Sequence, residues 1–382
     1  LSAQGVRAGA ALTLEPLGEG VADMVYDDLT EAVGQVVERV STPWTREDAR
    51  TLAALSAAGL IFVAALLLAT TPPDALTALD PKAVTLYNFI AGAIGIVSAL
   101  LVTATSLVMT RKHPGASGVA LAHTVPLLTA AAALRLSQSH WDTAGWGWTG
   151  LGLLIGSLAA LTLPKRYRIS IAAPLVVGTV LAATGLLVRL GQLSQAGISA
   201  ILFALIIVLL QVAPWIALAH IPVRILDADT IEQIPAKGIT DQVSNSFVFV
   251  VALRSGGAIA AIFLTVSLMT APETRSVSLP LTLITLGAVS LVLQTRSIRA
   301  RVEVLLGALS GLIVILVATV LGAYADPRTM PWLTLSAIAT ALVLVVTNVV
   351  GPRARPHLTR IADTISVLSL FVLLPLAVYL WS

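Results

Sequence analysis

The sequence predicts an all-α polytopic membrane protein with 11 transmembrane helices, the N-terminus in the cytoplasm and the C-terminus outside. Apolar stretches follow one another from about Thr51 to the end of the chain, most of them near the ~20 residues that a helix needs to cross a bilayer. The loops between them alternate between basic and nearly uncharged. Composition agrees: 57% of residues are hydrophobic and only 11% charged, with a mean hydropathy of +0.92, whereas about 25% of a soluble domain is charged.

Residues 1–16 read as a turn at Gly9 followed by a short strand with Leu12 and Leu14 on one face. Sixteen residues are too few for a core, and the chain starts at Leu1 rather than Met, so this segment is expected to be the tail of a longer cytosolic domain. Residues 17–45 form a linker that contains an amphipathic helix from about Asp28 to Val40. Asp27 or Asp28 caps it, Leu29, Ala32, Val33, Val36, Val37 and Val40 make one apolar face, and Glu31, Gln35, Glu38 and Arg39 lie opposite. The apolar stripe favours docking to a partner surface over packing within the chain, and the net acidity argues against adhesion to an anionic leaflet. Thr45-Arg46-Glu47-Asp48 is a helix start, with a hydroxyl and a carboxylate placed to satisfy free backbone amides. One rigid helix is therefore expected to run from here into the first span.

The transmembrane domain, 46–382, has spans at 51–71, 84–108, 116–135, 145–163, 169–189, 197–218, 255–271, 277–294, 304–324, 331–350 and 364–381. Breakers such as Pro72-Pro73-Asp74, His113-Pro114-Gly115 and Gly351-Pro352-Arg353 separate them. The third is the least regular, because it holds His123 and Pro126; a re-entrant or merely buried helix is its alternative. A cytosolic loop at 221–254 carries Asp227, Asp229, Glu232 and Asp241, then a helix over 242–254 with Phe247, Val250, Val251 and Arg254. Were the seventh span to begin at Phe247, Arg254 would be an intramembrane charge; the span is long enough from Ser255 alone, so the inner interface is the favoured place for Arg254.

Cytoplasmic loops collect Lys and Arg. Of the 23 basic residues only Lys82, Arg135, Arg189, Arg275 and Arg328 fall on the opposite side in this arrangement. Trp141, Trp146, Trp148, Trp332 and Trp381 then sit at the outer interface, with Trp44 and Trp215 near the inner one, as aromatic anchors do.

The chain has no Cys, which excludes disulfides, thiolate metal sites and cysteine nucleophiles. It has no P-loop, HExxH or GxSxG pattern. Ion-coupled transporters place an ionisable side chain near the midplane; here the acids sit in loops or at span edges, as Glu303 and Asp363 do. Asn88, His123, Gln211 and Asn348 are the polar residues inside spans. They read as interhelical hydrogen bonds, each contributing roughly 0.6 kcal/mol, or else as the pathway of a small-molecule permease or secondary transporter, the main alternative function. Gly152-x-x-x-Gly156, Gly307-x-x-x-Gly311 and Gly256-Gly257-Ala258 let helices approach closely. Packing within the chain is the favoured reading of that spacing, a subunit interface the other. No metal or cofactor is expected.

The ending Gly5-Val6-Arg7-x-Gly9-x-x-Leu12-x-Leu14, then Val25-Tyr26-Asp27-Asp28, an amphipathic helix, and eleven spans with a cytosolic loop after the sixth resemble EccD, the multispanning membrane subunit of type VII (ESX) secretion systems. The resemblance covers essentially the whole chain. Family members often have a proline-rich stretch in the middle loop, where this chain has only Pro222 and Pro235. The resemblance implies that residues 1–16 are the remnant of a ubiquitin-like (α+β) domain. It implies a scaffold without catalytic residues, paired with a second copy of itself. Its other partners would be EccB, the FtsK-like ATPase EccC, EccE and membrane lipids, with no nucleic acid. Partner contact is then expected at Leu29, Val33, Val36, Val37 and Val40, and at Phe247, Val250, Val251 and Arg254.

Overall fold

The computed structural model describes residues 46–70, 81–112, 116–139, 142–159, 163, 168–191, 193–219, 236–273, 276–295, 300–349 and 355–381. The strand at 1–16 and the docking helix near 28–40 lie outside these residues. By spatial proximity the chain divides into Leu1–Arg50 and Thr51–Ser382.

Most of the described residues are helical. In order, they form α1 (Arg46–Thr70), α2 (Pro81–Lys112), α3 (Ala116–Ala122), α4 (Val125–Leu136), α5 (Thr143–Leu158), α6 (Ala172–Gly191, entered through a 3-10 turn at Ile169–Ile171), α7 (Gln195–Ala219), α8 (Ala236–Met269), α9 (Ser278–Gln294), α10 (Arg301–Ala325), α11 (Met330–Val349) and α12 (Arg355–Trp381). Every expected span falls on one of these helices or, for the third, on two. Eight are long and apolar enough to cross a membrane among the described residues; α5 and α9, with 16 and 17 residues, are shorter. The start of α1 at Arg46 agrees with the expected helix start at Thr45–Asp48.

The third span is broken at His123–Thr124. Pro126 in the first turn of α4 has no N–H to give the preceding turn. Side chains add to the backbone bonds there: His123 Nδ1 donates to the Val119 carbonyl at 2.8 Å and Thr124 Oγ1 to the Leu121 carbonyl at 2.8 Å, carbonyls that also accept from the His123 and Thr124 N–H groups.

The helices pack mainly as neighbours: α5 on α4 and α6, α8 on α6, α7 and α10, α9 on α10 and α12. The largest core joins α7 to α8, α9, α10 and α12 around Phe203, Ile207, Leu264, Ile284 and Leu373, all fully buried. A second cluster joins α4, α5 and α6 through Ala130, Trp146, Leu153 and Leu181. Trp146 is 7% exposed, so it is a core residue and not the interface anchor the sequence predicts; Trp148, Trp215 and Trp381 are exposed. The difference is one of helix face, since Trp146 and Trp148 are two residues, about 200°, apart on α5.

The glycine motifs act within the chain. Gly152 and Gly156 meet the α4 backbone at Ala130 and Pro126, Gly256 meets Ala173 of α6, Gly257 meets Leu210 of α7, and Gly307 and Gly311 face Leu291 and Val292 of α9. The closest approach is between α5 and α6, where Gly147 and Gly150 lie against Gly185 and Ala182. Small residues allow such contact, and in lipid this packing is the main source of helix association.

Candidate functional site

Of the residues expected to contact partners, Leu29, Val33, Val36, Val37 and Val40 lie outside the described residues. The other four fall on α8, a single 34-residue helix. The structure corrects the expected division there: α8 runs unbroken through the Arg254–Ser255 junction, so the loop helix and the seventh span are one element. No Pro interrupts it, and Gly256-Gly257 is held by the neighbouring α6 and α7.

This continuity changes what each side chain faces. Phe247 is 41% exposed, and Ser244 and Asn245 beside it are exposed too. Val251 is half-buried, whereas Val250 and Arg254 are buried at 6% and 5% exposure. Val250 and Arg254 are four residues apart, hence on one helical face, and that face packs on the chain's own bundle. Arg254 is thus not an exposed interfacial charge. Its Nη1 donates to Glu303 Oε2 of α10 at 2.9 Å, and Glu303 is itself 8% exposed. Among the described residues, Arg254 Nε and Nη2 have no acceptor. A buried guanidinium needs such a partner, because desolvation outweighs its mutual attraction unless the geometry is good. Glu303 is also in the first turn of α10, where a negative charge is favoured by the helix dipole.

The other interior polar groups also tie helices together. Gln195 Nε2 donates to the Ser267 carbonyl at 2.9 Å, and the Ser199 and Ser267 hydroxyls are 2.6 Å apart, linking α7 to α8. Gln211 Nε2 donates to the Ser290 carbonyl at 3.2 Å and Gln294 Nε2 to the Leu210 carbonyl at 2.8 Å, linking α7 to α9. The Ser290 and Ser369 hydroxyls, 2.7 Å apart, add α12. His123 Nε2 lies 3.3 Å from the Ser170 carbonyl. Gln211 and His123 thus make the interhelical contacts their sequence positions led us to expect. Asn88 differs, since its buried Oδ1 has no partner; nothing is described of the Asn348 side chain. The Ser and Gln residues at 195, 199, 267, 290, 294 and 369 were not legible as a network, because hydroxyls inside spans are common and only the fold shows which ones meet. Among the described residues, no three His, Asp or Glu side chains group as metal ligands.

At the far end of α4, Arg135 is 7% exposed and its Nε donates to the Leu68 carbonyl in the last turn of α1. A cation on free carbonyls at a helix C-terminus is a favourable cap.

A bundle with eight helices long and apolar enough to cross a membrane among the described residues defines a multi-pass membrane protein. The family described as EccD-like transmembrane domain matches residues 49–382, and the chain belongs to it. It is a multi-pass inner-membrane protein and a membrane subunit of a type VII secretion system. The fold is similar to a chain in the structure of protomer 1 of the ESX-3 core complex, with a TM-score of 0.68 and 17% identity, over 94% of this chain and 81% of that one. It is also similar to a chain of the MycP5-free ESX-5 inner membrane complex, with a TM-score of 0.62 and 15% identity, over 85% of this chain and 77% of that one. No curated protein matches it in sequence.

Proposed function

We propose that this chain is a non-catalytic scaffold of the secretion complex, crossing the membrane 11 times with its N-terminus in the cytoplasm and Ser382 outside. The family match carries this reading. The interior supports it: the buried ion pair and the Ser and Gln contacts hold helices to one another. Energy for export would come from an FtsK-like ATPase partner, EccC, with EccB, EccE and a second copy of this chain completing the assembly. Residues 1–16 would close a ubiquitin-like cytosolic domain.

On this reading the partner contacts are cytosolic. Leu29, Val33, Val36, Val37 and Val40 would form one docking stripe, and Phe247 with its exposed neighbours on α8 another. Val250 and Arg254 support that surface from beneath, since they are buried. Replacing Val33 and Val37 together by Asp should release the ATPase subunit from the detergent-solubilised complex while the chain stays in the membrane. Unchanged co-purification of the ATPase would overturn the docking assignment.

A further inference from the structure

A crevice of about 430 Å³ lies between α1 and the bundle, walled by Phe62 and Leu66 of α1, Leu127 of α4, Leu153 of α5, Val177 of α6 and Phe263 of α8. We infer that it is a binding site for one acyl chain of a membrane phospholipid.

The lining decides the chemistry. Its polar side chains, His123 and Thr149, already donate to the Val119 and Gly145 carbonyls, at 2.8 and 2.7 Å. The walls thus present an apolar surface, and water in such a space lacks the two to four polar partners it needs. A peptide segment would leave backbone groups unsatisfied, at several kcal/mol each in hydrocarbon.

Size decides between a lipid tail and another helix. A crossing helix needs the full depth of the hydrocarbon core, about 30 Å. Along α4 the crevice reaches from His123 to Leu134, roughly 16 Å at 1.5 Å per residue. That is about half of the ~30 Å hydrocarbon core, the depth of one leaflet. Access is from the bilayer, because Phe62 and Leu66 both line the crevice and are half exposed, at 50% and 49%. An occupied crevice also accounts for α1, which shows most of its surface and touches the bundle mainly through Ala65 and Arg135.

The site depends on membrane embedding alone and not on the partner assignments. The test uses the full chain in nanodiscs containing phosphatidylglycerol with a diazirine in one acyl chain, followed by peptide mapping of the photo-adducts. Adducts are expected on Leu127 and Val177, and also on Phe371, which is 74% exposed on α12. Leu153→Trp should fill the crevice and lower the Leu127 and Val177 adducts at least fivefold, with Phe371 unchanged. Adducts confined to residues such as Phe371, or chain-to-chain cross-links at Leu127, would overturn the proposal. Should Leu153→Trp not fold, native mass spectrometry of the wild-type chain decides. Retention of one phospholipid per chain through detergent exchange supports the site, and complete loss under mild exchange rejects it.

Discussion

Arg254 of α8 donates from Nη1 to Glu303 Oε2 of α10 at 2.9 Å, with both side chains buried. The pair lies in a membrane-embedded bundle, near the first turn of α10. Removing one partner of a buried pair leaves an uncompensated charge and destabilises by about 3–5 kcal/mol. Glu303→Ala should therefore lower the unfolding midpoint in mild detergent sharply. The double replacement Arg254→Met with Glu303→Leu should recover most of the loss, since Arg254 Nε and Nη2 have no acceptor among the described residues to forfeit. Equal midpoints for the single and double variants would show that the pair is not coupled.

Helices α5 and α6 should be the least tolerant of added volume. A side chain at Gly185 would overlap the Gly147 backbone, and one at Gly150 the Ala182 backbone nitrogen. Gly185→Val is expected to destabilise by about 1–3 kcal/mol or more, read as loss of monodisperse protein on heating in detergent. Gly59 of α1 has nothing within 4 Å of an added Cβ. Gly59→Ala should be neutral or stabilising by up to about 1 kcal/mol.

Arg135 fastens the end of α1 by donating to the Leu68 carbonyl. Arg135→Leu removes that cap and leaves α1 held mainly by the cluster of Ala65 with Ala99, Val125 and Leu128. Cysteines placed at Ala65 and Leu128 should cross-link through a short bis-maleimide, and the yield should fall severalfold in the Arg135→Leu background. An unchanged yield would mean that packing alone holds the helix.

The proposed orientation can be read directly, since the chain has no native Cys. A single cysteine at Lys112 or Arg301 should react with a membrane-impermeant maleimide only after the cells are opened. One at Ser139 or Asp326 should react in cells whose outer envelope alone has been permeabilised. Reversal of this pattern would invert the topology.

The helices were legible because each apolar run is bounded by Pro, Gly or charge, and most described helices end within a few residues of the expected spans, though α8 and α12 begin 19 and 9 residues earlier. Two details were not. The break at His123–Thr124 was not placed, although Pro126, which cannot donate to the preceding turn, hinted at it. The single helix through Arg254 was missed because a charge at the end of an apolar run has two meanings. It marks an interface when it meets water and a buried tie when an opposite charge waits on another helix, and Glu303 is 49 residues away in sequence.

By itself the sequence determined that the chain is helical and membrane-embedded, and its ordered motifs pointed to the EccD family. These follow from hydropathy and local spacing, which act over a few turns of chain. The tertiary structure alone decided which residues face one another: Arg254 with Glu303, Gln195 with Ser267, Gly147 with Gly185, and the crevice beside α1. In hydrocarbon an apolar residue gains nothing from the hydrophobic effect by turning inward. The apolar pattern along a span therefore does not show which face is buried, and partner choice among helices rests on close packing and a few polar ties between distant residues.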